Sequence, residues 1–143
     1  MKKLLLATSI AGLSLALSAP TMAAEDQYEA YQASLSERGD SGVSGTAVFD
    51  PNDGKMEMTV EAKNAEGMSV GVHRGVCRYA DSGSEEKAPD HFGFKKEPEF
   101  PAASFKDGEA TATLDITVGE MMGQPRSVAI YDGDTLTACG NIQ

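Results

Sequence analysis

Two histidines and two cysteines are the residues most able to do chemistry in this chain, and the segment GVHRGVC, residues 71–77, holds one of each. A histidine four residues before a cysteine could activate a thiol as a nucleophile. The two residues could equally be half of a metal or redox site, because both types are common ligands. The second histidine is His91 and the second cysteine is Cys139, so each of these chemistries depends on how the fold brings distant residues together.

The first 23 residues have the composition of a secretory signal peptide. Two lysines precede the apolar run LLLATSIAGLSLAL, and a T-M-A motif with small residues follows it. The apolar run is too short to favour a membrane anchor. We therefore expect residues 1–23 to be removed and residues 24–143 to form one domain, in the periplasm or secreted from the cell.

Export has a consequence for the cysteines, because disulfides form and persist in oxidising compartments. The chain has only two cysteines, Cys77 and Cys139, and no C-x-x-C pair. An intramolecular disulfide is the simplest interpretation, and two free thiols are the alternative. A disulfide would also remove the thiol that His73 could otherwise activate.

The charge of the expected mature chain restricts its partners. Residues 24–143 contain 10 Lys and Arg against 22 Asp and Glu, a net charge of −12. Such a surface repels phosphate backbones and anionic lipids, so we expect no nucleic-acid partner and no membrane partner. It also disfavours the binding of a small anion unless Lys and Arg are concentrated at one place.

Alternation of apolar and polar residues predicts strands with one buried face in KMEMTVEAK, residues 55–63, and in EATATLDITV, residues 109–118. The segments DPNDGK, KDGE and DGD contain the Asx-Gly chemistry that reverses a chain, and each predicts a hairpin.

Shorter segments add further strands, while the pattern of YEAYQASL, residues 28–35, does not decide between a strand and a helical turn. The further strands are SGTAVFD at 44–50, MSVGVH at 68–73, RSVAIYD at 126–132 and LTACGNI at 136–142. Six or seven strands without a long helix indicate an all-β antiparallel sandwich or barrel. Residues 81–103 are rich in Ser, Gly, Pro and charge and predict a long loop, a type of segment that often carries function.

The order of these segments resembles that of the Cu/Zn superoxide dismutase family. The segments SGVSGTAVFD, GVHRGVC, DHFGF, KDGEATATLDI, RSVAIYD and TACGNI carry the resemblance, which covers roughly residues 28–143. It implies a Greek-key antiparallel β-sandwich or flattened barrel. It also implies a disulfide between Cys77 and Cys139, in agreement with the argument from compartment and cysteine count.

The resemblance assigns this chain's residues to the family's metal positions. The family has an H-x-H pair of copper ligands, of which only His73 is present, because Gly71 occupies the first position. His91 matches the histidine that bridges the two metals, and Tyr131 stands where the last copper histidine would be. Glu99 is the nearest residue to the place of the zinc aspartate. The active site is therefore degenerate.

Two histidines cannot assemble a binuclear centre, because each metal needs about four ligands and imidazole is the usual nitrogen donor. We expect no cofactor and no dismutase activity. Weak copper or zinc binding by His73, His91 and Tyr131 is the alternative, since imidazole is a good ligand.

The methionines offer a second metal hypothesis. Met121 and Met122, expected in a turn, could hold Cu(I) through paired thioethers, although packing into a gap is the better explanation. Met56 and Met58 alternate along a strand, where packing again explains them.

Three functional hypotheses follow. The first is an exported, non-catalytic binding or structural domain on a superoxide-dismutase-like scaffold, which presents the loop at 81–103 to an unknown protein or small ligand. The second is a divergent single-copper enzyme with residual superoxide dismutase activity. The third is a periplasmic copper carrier that uses His73, His91 and the methionine pair.

Overall fold

A computed structural model describes residues 31–81, 88–89 and 91–143. The predicted signal peptide and part of the loop at 81–103 lie outside the described residues. The described chain forms eight strands, one 3₁₀ turn at Cys77–Tyr79 and one short helix, α1, at Val118–Met122. The strands are β1 Tyr31–Glu37, β2 Ser44–Asn52, β3 Lys55–Lys63, β4 Ser69–Arg74, β5 Ala103–Ser104, β6 Glu109–Leu114, β7 Arg126–Asp132 and β8 Thr135–Asn141.

The eight strands form one antiparallel sheet in the order β5-β4-β7-β8-β1-β2-β3-β6. Its two edge strands, β5 and β6, contact each other beside the turn that joins them, so the sheet is nearly closed into a barrel. The prediction of an all-β antiparallel fold is confirmed. The finer assignment to a Greek-key superoxide dismutase fold stays a prediction.

The predicted turns adopt the backbone conformations that their residues favour. Asp53 and Gly54 both have positive φ, and β2 and β3 pair up to the residues on either side of them. Asp107 and Gly108 repeat this geometry before β6. Two positive φ angles in a two-residue loop match the twist of the flanking strands, and Asx-Gly sequences reach them at low cost. Gly133 supplies the positive φ between β7 and β8.

The inner face of the sheet carries the main core, and the alternation along β3 determines which residues enter it. Met56, Met58 and Val60 are buried there against residues of the neighbouring strands, which confirms the packing role predicted for the two methionines. The segment 28–35, which the sequence left undecided, is a strand from Tyr31 onward in its described part.

One predicted strand is too long. The segment 109–118 was expected to remain extended throughout, but β6 ends at Leu114. Thr117 then begins α1: its hydroxyl accepts a hydrogen bond from the Glu120 backbone N–H, while the Glu120 carboxylate accepts from the Thr117 N–H. This capping box satisfies backbone donors that a continued strand would have paired elsewhere. The alternation of Ile116 and Val118 with polar residues does not show that a helix start at Thr117 competes with the strand.

Strand β7 differs from the other strands because residues 126–131 are buried on both faces. Val128 and Ile130 face the main core. Ala129 and Tyr131 face outward into a second cluster, which contains Phe94 and the two cysteines. The chain that follows β4 therefore covers the outer face of β4, β7 and β8. The candidate site lies where this segment contacts the sheet.

The predicted disulfide is present. The Cys77 and Cys139 sulfur atoms are 2.02 Å apart, and no cysteine in the chain is free. The bond joins the 3₁₀ turn to β8. Around it, the Cys77 N–H donates to Asn141 Oδ1 at 2.9 Å and Arg38 Nη2 donates to the Cys77 carbonyl at 2.7 Å.

Reduction of this disulfide should lower the free energy of unfolding by about 4 kcal/mol, because the bond joins residues 62 positions apart and constrains the unfolded chain. Urea titrations with and without a reductant measure the difference. A Cys77→Ser, Cys139→Ser double variant should be insensitive to the reductant. Two titratable thiols in freshly isolated, denatured protein would contradict the disulfide itself.

Candidate functional site

His73 lies on the outer face of β4 and is only 2% exposed. Its ring stacks on Phe94, with centroids 5.1 Å apart and planes 17° apart, and contacts Tyr131 at 5.6 Å between centroids. Its Nδ1 lies 2.8 Å from the Lys95 carbonyl oxygen. Because that oxygen only accepts, we assign the proton of the neutral ring to Nδ1, which leaves Nε2 with a lone pair.

Burial lowers the pKa of His73, and the hydrogen bond to the Lys95 carbonyl opposes this effect less strongly. The charged imidazolium is disfavoured because water cannot solvate it between two aromatic rings. His73 is therefore held as a neutral imidazole with a fixed orientation and a free lone pair, which is the form of histidine that accepts hydrogen bonds or coordinates a metal.

The structure leaves no space for a histidine side chain at the neighbouring position, Gly71. A Cβ atom built on Gly71 would come within 2.9 Å of the Pro98 Cβ and 3.6 Å of His73 Nε2. Pro98 thus packs directly over the position at which the H-x-H motif of the resembled family would place its first histidine. A side chain at residue 71 would require the segment around Pro98 to move.

Tyr131 completes the partly apolar floor of a depression of about 400 Å³. It pairs with Ser69 across β4 and β7, next to an irregularity after Ile130. Beyond His73, the walls include Pro98 and Ala102, and the rim carries Lys96, Glu97 and Asp134. Lys96 Nζ lies 3.6 Å from Asp134 Oδ1, and both side chains are largely exposed. This depression has the size of a small-ligand site.

His91 lies in another place. It is exposed, has a φ of +74°, and lines a separate depression with Arg74, Lys95 and Gln124. The structure therefore brings His73 and Tyr131 together and puts His91 in a different surface depression. Metal binding by all three residues stays a prediction.

Glu99, the residue nearest to the zinc aspartate in the resemblance, is held by two arginines. Arg126 Nε and Nη2 donate to its two carboxylate oxygens at 2.7 and 3.0 Å, and Arg74 Nη2 donates at 3.1 Å. The hydrogen bonds from Arg126 are the largest cause of the lowered pKa of Glu99, and Arg74 adds to it. Its oxygens are occupied by charge-assisted hydrogen bonds, the strongest common type.

Arg126 is a residue that the sequence interpretation missed. Its side chain is 5% exposed, and Nη1 also donates to the carbonyls of Glu120 and Met121 at the end of α1. The sequence did contain a sign of this role, since an arginine begins the apolar strand RSVAIYD. A charge in such a segment is buried only when it is paired.

Met121 and Met122 are adjacent residues of α1 but lie in different environments. Met121 is 1% exposed and belongs to the main core, whereas Met122 is 43% exposed. The expectation that both lie in a turn was wrong, because the capping box forms a helix whose last two residues they are. Successive residues of a helix point about 100° apart, so the two thioethers face different environments.

The described ranges contain no group of three or more His, Cys, Asp and Glu side chains placed to hold a metal ion. In the same ranges, no helix has the length and apolar character needed to cross a membrane. No protein-family model matches the sequence, and no curated protein matches it significantly.

The lowered pKa of His73 gives stability a pH dependence. As pH falls below about 6.5, the unfolded chain binds a proton at residue 73 before the folded chain does, so the free energy of unfolding should fall. The slope should approach, at most, about 1.4 kcal/mol per pH unit. Urea titrations between pH 7.5 and 5.5 in a His91→Gln background isolate His73.

The matched variant is His73→Phe in the same background, which keeps an aromatic ring and removes the titrating group. Its stability should be flat across this pH interval. An equal slope in both proteins would contradict the assignment to His73.

Proposed function

We propose that this chain is an exported, non-catalytic binding or structural domain on a superoxide-dismutase-like scaffold that has lost the binuclear Cu/Zn centre. The order of sequence segments, the all-β antiparallel sheet and the disulfide between Cys77 and Cys139 support this proposal. The signal-peptide composition of residues 1–23 favours a periplasmic or secreted location.

The observation that carries the proposal is the packing of Pro98 over Gly71. The position of the missing histidine is filled by the protein, and Glu99 is committed to Arg126 and Arg74. The residues present therefore do not fit a binuclear copper and zinc centre, which needs about four donors for each ion.

The binding surface in this proposal is the depression over His73 and Tyr131 together with the adjoining part of the loop at 81–103. One wall, formed by residues 96–98 and Ala102, belongs to that loop. A partly apolar floor with a few polar groups at the rim suits a small molecule or a side chain of a partner protein. The acidic net charge favours neither nucleic acid nor a membrane as the partner.

A second candidate is a single-copper protein with residual superoxide chemistry, or a copper carrier. It is favoured by one observation: the bond from Nδ1 of His73 to the Lys95 carbonyl fixes the tautomer that leaves Nε2 for a metal. Tyr131 is a further oxygen donor in the same depression. His91 would have to reach this site from its separate depression.

The first test concerns catalysis. The mature chain, after reconstitution with copper and zinc, should remove superoxide no faster than an equal concentration of free copper. Stopped-flow decay of superoxide measures the rate. A second-order rate constant near the diffusional ceiling of about 10⁹ M⁻¹s⁻¹ would overturn the non-catalytic proposal and establish the enzyme.

The second test concerns metal binding. If the single-metal candidate is correct, one copper or zinc ion should bind per chain, and the affinity should fall below about pH 6.5, where imidazoles are protonated. His73→Ala and His91→Ala should each abolish binding, and isothermal titration calorimetry checks this.

Met122→Leu is the control, because it removes an exposed thioether without emptying the core. If it weakens Cu(I) binding and the histidine variants do not, the carrier uses methionine instead. If the parent chain binds no metal, the single-copper candidate is wrong and the non-catalytic proposal stands.

A further inference from the structure

We propose that the depression between Arg74, His91 and Lys95, here called the basic depression, binds a phosphate group. Its volume is about 330 Å³, near the lower end of the roughly 300–1,000 Å³ of small-ligand sites. His73 and Tyr131 line the other depression. Among the described residues, the two depressions share no lining residue, so phosphate binding can be tested separately from the depression over His73, although the basic depression also uses the loop at 81–103 that the proposed function invokes.

The charge of the basic depression opposes that of the whole chain. Among the described residues that line it, Arg74 and Lys95 are cationic, His91 and Gln124 can donate hydrogen bonds, and none is acidic. Arg74 shares the carboxylate of Glu99 with Arg126, so Arg74 does not have that carboxylate to itself. Local focusing of cations is what a chain with a net charge of −12 needs in order to hold an anion.

Backbone hydrogen bonds join the segments that carry Arg74 and Lys95. The Lys95 N–H donates to the Arg74 carbonyl at 2.9 Å, which holds the two cationic residues side by side. The Gly75 N–H donates to the Pro125 carbonyl at 2.9 Å. Gly75 has a φ of +92°, and a Cβ there would overlap the Gly93 carbonyl. Donors held in place before binding lose less entropy when a ligand arrives.

His91 lies in a turn at positive φ. The Phe92 N–H donates to the Pro89 carbonyl at 3.0 Å, and His91, the third residue of this turn, has a φ of +74°. That position of a turn favours glycine, because a Cβ is strained at positive φ. His91 lines the basic depression at this turn.

Phosphate matches this set of donors better than a neutral ligand does. A guanidinium presents N–H groups in a planar fork, and an ammonium supplies a compact point charge. Arg74 uses Nε and Nη2 on Glu99, which leaves Nη1 for a ligand. The volume leaves room for the organic group of a phosphate monoester beside the phosphate itself. We therefore assign the ligand class to small phosphorylated molecules.

Isothermal titration of the full mature chain with inorganic phosphate and with phenyl phosphate, at constant ionic strength, tests the proposal. One saturable site per chain is expected. Lys95→Gln and His91→Gly should each weaken binding by about tenfold or more, since each removes a charged or polar donor to an anion. Lys55→Gln, an equal loss of charge on an exposed residue of β3, should leave the affinity unchanged.

His91→Gly also separates function from structure. Glycine relieves the strain at φ +74°, so the melting temperature should stay the same or rise while phosphate affinity falls. Unchanged phosphate affinity in both Lys95→Gln and His91→Gly would overturn the proposal. An equal weakening in Lys55→Gln would do so as well, because it would indicate diffuse attraction. Acetate binding as tightly as phosphate would assign the site to carboxylates instead.

Discussion

Residues 92–99 are hydrogen-bonded along and beyond β4, and this attachment determines the geometry of both depressions. The Phe92 carbonyl accepts from Val76, while Lys95 and Glu99 donate to the carbonyls of Arg74 and Val72. The short strand β5 pairs only with Ser69 and Val70 of β4, and residues 92–99 lie along the rest of that edge. Lys95 lines the basic depression, whereas the next residue, Lys96, lines the depression over His73.

The ion pair between Glu99 and Arg126 joins this segment to the rest of the barrel. Arg126 lies on the same strand face as the core residue Val128 and also binds carbonyls at the end of α1. The pair is partly buried, with the Arg126 side chain 5% and the Glu99 side chain 17% exposed, and loss of Glu99 would leave the buried Arg126 charge without this partner. The pair adds a side-chain attachment at Glu99 to the backbone hydrogen bonds of residues 92–99.

The environment of His73 follows from the same attachment. Phe94 covers the ring, Pro98 fills the space above Gly71, and the Lys95 carbonyl takes the Nδ1 proton. These contacts fix the tautomer of His73, which lies at the edge of a ligand-sized depression. The same contacts hold the ring between Phe94 and Tyr131.

Local signals in the sequence predicted most of the strands, the Asx-Gly turns and, through the count of cysteines, the disulfide. The strands and turns depend on residues a few positions apart, and two cysteines allow only one intramolecular disulfide. The end of β6 at Leu114, the division of Met121 from Met122 and the separation of His91 from His73 were decided by tertiary structure. Each depends on which backbone donors and buried charges find partners across the fold. Alternation along a segment carries no information about such long-range pairing.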